Sequence, residues 1–223
     1  KLRYILVPTL IRTGTVASAI RAQEVQPKLM ITWRSSNYVP LDFEGKALPT
    51  QGSPLEAGVE VLDRGIPADL SLQKIYWYAN GKLIAGGDGV RVIRLIAGET
   101  GAIDLRVQIP NYKTQTLVKT ITIPVVVPEA IIVASSLDGE ISRKFTGMRA
   151  VPFFFNIVNP KNLNFSWRVN GQSPQGEENP ETLNVNLPAE TPQNFKLNVE
   201  LAITNPERIT EIASKIVSFV VIP

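Results

Sequence analysis

The sequence predicts an all-β protein: two antiparallel β-sandwiches in tandem, preceded by a short apolar and basic segment. Three observations predict it. Apolar residues in the body of the chain recur with a period of two, the mark of half-buried strands. WYANGK at 77–82 returns as WRVNGQ at 167–172. Each half also closes on a β-rich run ending in proline, TITIPVVVP (120–128) and KIVSFVVIP (215–223). The expected boundaries are an N-terminal segment 1–28, a first sandwich 29–127 and a second 128–223.

A chain of 223 residues suits one large domain or two of about 100 residues each. With 44% hydrophobic residues, both halves can bury a core. Cysteine and histidine are absent, which excludes disulfides, thiolate nucleophiles, Cys/His zinc sites and Ser-His-Asp relays. No catalytic, cofactor-binding or metal-ligating residue is assigned, and the protein is expected not to be an enzyme. The pI near 9.2 suggests a nucleic-acid partner until the charges are placed. Residues 1–36 carry a net +5 and the remainder a net −2, so the basicity belongs to the N-terminal part. Nucleic-acid recognition needs Lys and Arg clustered on a folded surface, and none is expected here.

Residues 1–28 begin with Lys1 and Arg3, run through an apolar stretch at 4–11 and reach Ala17-Ser18-Ala19. That order is signal-like, although Arg12 interrupts the apolar part. An export signal, a membrane anchor, an assembly arm and an ordinary packed N-terminal element all remain open. The segment is too short and too charged to span a bilayer alone, which takes about 20 largely apolar residues.

The strands follow in order. QKIYWYA (73–79) places Ile75 and Trp77 on one face. AIDLRVQI (102–109) turns Ile103, Leu105, Val107 and Ile109 inward. In the second half LNFSWRVN (163–170) alternates Leu163, Phe165, Trp167 and Val169 with polar residues. TLNVNL does the same with Leu183, Val185 and Leu187, and NFKLNVELAIT (194–204) with Phe195, Leu197, Val199, Leu201 and Ile203. About seven strands per half are expected, with PERITEIASK (206–215) forming either a short helical turn or a loop and strand start.

The repeated hexapeptide reads as core anchor, then turn. Asn80-Gly81 and Asn170-Gly171 supply the two positive-φ positions of a tight hairpin. Trp77 and Trp167, three residues earlier, point inward as core plugs between sheets. Pro124 and Pro128 mark a short, stiff junction between the halves.

These residues, Ile75-Tyr76-Trp77-Tyr78 with Asn80-Gly81 and Phe165-Ser166-Trp167 with Asn170-Gly171, resemble the bacterial immunoglobulin-like and PKD-like sandwich families. The resemblance covers roughly residues 29–223. It implies an extracytoplasmic module of the cell envelope or surface, acting as spacer, adhesin or part of a surface assembly.

Other candidate sites read as ordinary structure. GGDG at 86–89 lacks the phosphate-loop frame and is expected to be a hairpin loop. Glu177-Glu178 with Glu181, and Asp138-Gly139-Glu140, lack the spacing of a calcium cage. Trp33, Tyr38, Tyr76 and Tyr78 form a candidate contact surface for glycan or peptide, unless Trp33 plugs a sandwich end and the tyrosines cover a seam. The expected function is a non-enzymatic exported structural or adhesive protein, partnered by envelope or surface proteins, by itself in a filament, or by a membrane through residues 1–28. The alternative is a carbohydrate- or peptide-binding module using the exposed aromatics.

Overall fold

The computed structural model describes residues 26–134, 139–142, 147–174, 179–188 and 190–222. Most of the signal-like segment lies outside these residues, as do Asp138, Glu177 and Glu178.

In the first half, β1 (Lys28–Ser35), β2 (Pro54–Asp63), β3 (Ile66–Pro67) and β6 (Val92–Ile96) make one sheet, with β2 at its centre. The facing sheet runs in the order β5 (Lys82–Asp88), β4 (Lys74–Ala79), β7 (Gly101–Tyr112), β8 (Gln115–Val125). In the second half, β9 (Glu129–Ala134), β11 (Met148–Phe153) and β13 (Thr182–Leu183) form a three-stranded sheet. It faces β10 (Glu140–Ser142), β15 (Arg208–Ile222), β14 (Lys196–Asn205) and β12 (Asn164–Val169). The two halves share one plan. The first, second and fifth strands of an Ig-like sandwich make one sheet, and the third, sixth and seventh make the other. The additions differ: the first half carries the two-residue β3 on β2, and the fourth strand of the second sheet is not the same in the two halves. The first half adds β5 beside β4; the second adds β10, parallel to β15.

Apart from Val151 and Phe154, buried apolar residues fall into two clusters, one drawn from 29–125 and the other from 130–221. Alternation builds both. Ile103, Leu105, Val107 and Ile109 of β7 are buried in the first, and Leu197, Val199, Leu201 and Ile203 of β14 in the second. Trp77 is 0% exposed and Trp167 5%. Each indole N–H is also satisfied, donating to the carbonyl thirteen residues on: Val90 at 2.8 Å and Pro180 at 3.0 Å.

The asparagine of the repeat does more than turn the chain. Asn80 and Asn170 have φ of 50° and 48°, each followed by a positive-φ glycine. The Asn80 N–H donates to the Asp104 carbonyl at 3.0 Å, while its Oδ1 accepts from the Asp104 N–H at 2.9 Å. Asn170 clasps Asn198 in the same two-point way, at 2.8 and 2.9 Å. The clasp extends to the next strand through Thr122 donating to Asp104, and Ser218 to Asn198. One hexapeptide thus anchors the core and locks three strands.

Several expectations are corrected. Asn80-Gly81 joins two paired strands, but after Asn170-Gly171 the described pairing is the single Val169–Gln172 bridge. GGDG is not a loop: Gly86, Gly87 and Asp88 belong to β5, and the chain turns only at Gly89. A Cβ at Gly86 would lie 2.6 Å from the Tyr76 ring, so glycine is needed there for the ring to lie flat. Of the two alternatives for residues 206–215, the loop and strand start holds and the helical turn does not. A two-residue turn at 206–207 leads into β15, whose β-branched residues pair along β14. Phe195 is 36% exposed rather than inward, because Asn194 at φ 62° turns the chain just before β14 begins.

Trp77→Ala and Trp167→Ala should each destabilise the protein by roughly 3–5 kcal/mol, measured by chemical denaturation. An unchanged midpoint for either would place that indole outside a core. Because the second cluster closes within 130–221, the fragment 128–223 should unfold cooperatively by itself in calorimetry.

Candidate functional site

The site that the chain builds with most care is the seam between its two modules. Six polar residues are buried among the described residues, and five of them, Asn37, Thr50, Ser53, Asn205 and Glu211, meet there. Residues 36–53, the connection from β1 to β2, form a strap that reaches across to the second module. Tyr38 pairs with it like one rung of a ladder: its N–H donates to the Phe155 carbonyl at 2.8 Å, and its carbonyl accepts from the Phe154 N–H at 2.7 Å. Phe43 of the strap packs edge-on to Phe153, ring centroids 5.3 Å apart, and to Phe154. The junction 126–128 is tied to the same strap, since the Val126 N–H donates to the Pro49 carbonyl at 2.9 Å.

Glu211 is the hub. Its Oε2 accepts from the Asn156 N–H at 2.9 Å and from Asn205 Nδ2 at 2.8 Å, and its Oε1 accepts from the Thr50 hydroxyl at 3.3 Å. Thr50 accepts in turn from Asn37 Nδ2, which also donates to the Phe154 carbonyl at 2.7 Å. Ser53 completes the group by bonding Thr50 at both N–H and hydroxyl. Arg208 donates to the Gly52 carbonyl at 3.3 Å, and the Asn156 side-chain oxygen, assigned from the hydrogen-bond network, accepts from the same guanidinium. No buried side-chain polar atom among the described residues lacks a partner.

Nothing in the sequence patterns used above singles out these residues. One signal is visible afterwards. Glu211 stands in phase with Ala213, Phe219 and Val221, the buried face of β15, so a carboxylate occupies a core position.

The four aromatic candidates do not share a surface. Trp33, on β1, packs against the first core, and the Lys46 ammonium lies 3.6 Å from its ring centroid. Burial there holds the Lys46 amine below its ordinary pKa. Tyr38 sits half-buried in the seam, its hydroxyl pKa raised by burial first and the Glu181 carboxylate second. Tyr76 and Tyr78 do lie together, on the outer face of β4, but Tyr76 rests against Gly86 and Arg106 covers Tyr78 at 3.9 Å.

A shallow groove of about 430 Å³ lies on the outer face of the first sheet, over Gly58 and between Thr32, Arg34, Glu56 and Arg91. Of the two carboxylates that line it, Glu56 and Glu60, Glu56 bonds Arg34 at 2.6 Å and Arg94 at 3.1 Å. Hydrogen bonds from Arg94 and then Arg34 hold its pKa below the ordinary value, which suits an ion pair and not proton transfer near neutrality. Among the described residues no group of three or more acidic side chains could hold a metal ion, and no helix is long and apolar enough to cross a membrane.

No protein-family model and no curated protein sequence matches the chain. Solved structures similar to it include the fibronectin(III)-like modules of Clostridium thermocellum CbhA, at 11% identity and TM-score 0.33, covering 86% of this chain and 94% of that one. The three N-terminal domains of the bacteriophage RB49 outer capsid protein Hoc match at 10% identity and TM-score 0.44, over 88% of this chain and 59% of that one. A bacterial ice-binding adhesin matches at 11% identity and TM-score 0.31, over 86% and 65%. The strand order and registers described above define the chain as two tandem Ig-like modules.

Glu211→Ala should lower stability by roughly 2–6 kcal/mol, since it orphans the Asn156 N–H and Asn205 Nδ2 at about 1–3 kcal/mol each, while the Thr50 hydroxyl can turn to Ser53. Glu211→Gln, which retains an acceptor oxygen, should lower it less. A negligible loss for Glu211→Ala in urea titrations would mean that the carboxylate is not the hub.

Proposed function

We propose that the protein is a non-enzymatic structural component that works outside the cytoplasm, a rigid two-module spacer in the cell envelope or in a surface filament. The seam is the observation that carries this reading. Modules that swing freely keep their facing loops hydrated, whereas here the strap, the junction and the start of β15 share one buried hydrogen-bond network. Strand direction adds support. Gln26 and Pro27 lie beside Lys113 at the pole away from the seam, and β1 runs from there to Ser35 at the seam. β15 leaves the seam at Arg208 and runs fifteen residues, roughly 50 Å at about 3.3 Å per residue. Load entering at Lys28 would therefore pass through both modules.

Under this reading residues 1–28 attach the body to a membrane or to a neighbouring subunit. The partners are envelope or surface proteins, further copies of the chain among them. Recognition of nucleic acid is not part of the proposal. The alternative, a binding module for carbohydrate or peptide, would rely on Tyr76 and Tyr78, and Arg106 already occupies a face of Tyr78.

Deleting residues 1–27, which stops short of β1, should abolish envelope attachment in cell fractionation while leaving the melting temperature unchanged. Spin labels at Lys119→Cys and Lys196→Cys, one on each module, should give a single narrow distance distribution. A broad distribution would mean freely moving modules and would remove the spacer reading. A glycan-array signal lost in Tyr76→Ala would favour the alternative.

A further inference from the structure

We propose that strand β9 is a docking edge, on which a second copy of this chain adds its own β9 antiparallel about a two-fold axis. The argument begins with how the other edges are protected. Open sheet edges invite pairing, and proteins blunt them with charge, proline, bulges or shortness. Here β1 carries Lys28 and Arg34, β6 carries Arg94, β8 carries Lys119 and Pro124, and β12 carries Arg168. A register shift interrupts β5 against β4, with Lys82 and Asp88 at its ends. The strands β3, β10 and β13 are only two or three residues long.

β9 has none of these devices within its body. It reads EAIIVA, with Glu129 at the first position and five apolar residues after it. It is the end strand of its sheet, paired with β11. Ala130 is buried and Ile132 packs on the second core, while Ile131 and Val133 point outward at 42% and 44% exposure. The outward pair is continuous with the apolar side of the seam, because Ile131 registers with Val151, and Glu129 with Phe153 under Phe43.

The occupant follows from self-complementarity. An antiparallel match with Ile132 opposite Ile132 of the second copy puts Ile131 opposite Val133, and Val133 opposite Ile131. Residues 130–134 then pair with 130–134 and no charge enters the ladder. Glu129 of each copy falls just beyond the other's paired residues, on the same face as the other copy's Arg149, which registers with Val133. Two strand spacings and two residues separate them, about 12 Å between Cα atoms, within the joint reach of the two side chains. Like charges stay apart, opposite charges approach, and the contact closes on itself as an isologous dimer. This pairing holds whether or not the protein serves as a spacer.

The test uses the full chain. Sedimentation across a concentration series should show a species of twice the 24.5 kDa monomer mass. Ile131→Lys should return it to monomer with its melting cooperative, and Leu83→Lys on the β5 edge should leave the dimer intact. A monomeric wild-type chain, or a dimer that survives Ile131→Lys, overturns the proposal. If Ile131→Lys fails to fold, cross-linking decides. The chain has no cysteine of its own, so a mixture of Ile131→Cys and Val133→Cys chains should form a disulfide-linked dimer on oxidation, and Ile131→Cys alone should not. No linkage in the mixture, or equal linkage in the single variant, overturns the register and with it the proposal.

Discussion

A carboxylate taken out of water must be met by donors, and Glu211, 2% exposed, meets three. Those donors come from three separate stretches: the strap at Thr50, the backbone after β11 at Asn156, and the hairpin before β15 at Asn205. Backbone pairing at these places is sparse: Thr50 has a single bridge to Val126, Asn205 is the last residue of β14 before a turn, and Asn156 lies outside the strands. The buried charge fixes all three at once, because leaving any donor unpaired carries a desolvation penalty. Across the seam itself Glu211 contributes the bond from Thr50, beside the Tyr38 rung, the Asn37 bond to Phe154 and the Arg208 bond to Gly52. Hydrophobic packing alone would not fix the relation between the modules so narrowly, since the aromatic contact of Phe43 with Phe153 and Phe154 is tolerant of small slides.

Within each module, the equivalent fixed point is the Trp-x-x-Asn-Gly unit. Ninety residues separate the two tryptophans, the two asparagines, the two glycines, and the two carbonyls that receive the indole N–H. Beyond this unit the copies drift in spacing, yet the clasp on the sixth strand and the hydroxyl on the seventh are kept, as Asp104 with Thr122 and Asn198 with Ser218. The copies then diverge where nothing fixes them. One carries β5 beside its tryptophan strand and the other carries β10 beside its last strand. The outer faces diverge as well. In the first module Arg34, Glu56 and Arg94 form an ion triad there, while the matching face of the second is apolar at Ile131, Val133 and Val151. A duplicated core with unlike outer faces lets one surface stay solvated while the other receives the strap.

What the sequence determined by itself was everything that depends on local chemistry and period. Alternation in β7 and β14 sets their buried faces, because successive side chains on a strand must point to opposite sides. Asn-Gly sets the two turns, because positive φ is cheap for that pair. Trp77 and Trp167 were legible as inward residues for the same reason of phase. Tertiary structure alone decided the rest. The strap 36–53 has no period, and its residues acquire meaning only where the second module supplies carbonyls and donors more than a hundred positions away, as Asn37 does with Phe154. Glu211 lies in a stretch readable as a loop, and takes a core phase only because β15 registers on β14 from Ile212 onward. GGDG looked like a loop until the Tyr76 ring needed the space above Gly86. Local sequence fixes which way a residue faces; which partner waits there depends on long-range packing, because the donors and surfaces that satisfy it come from strands remote in the chain.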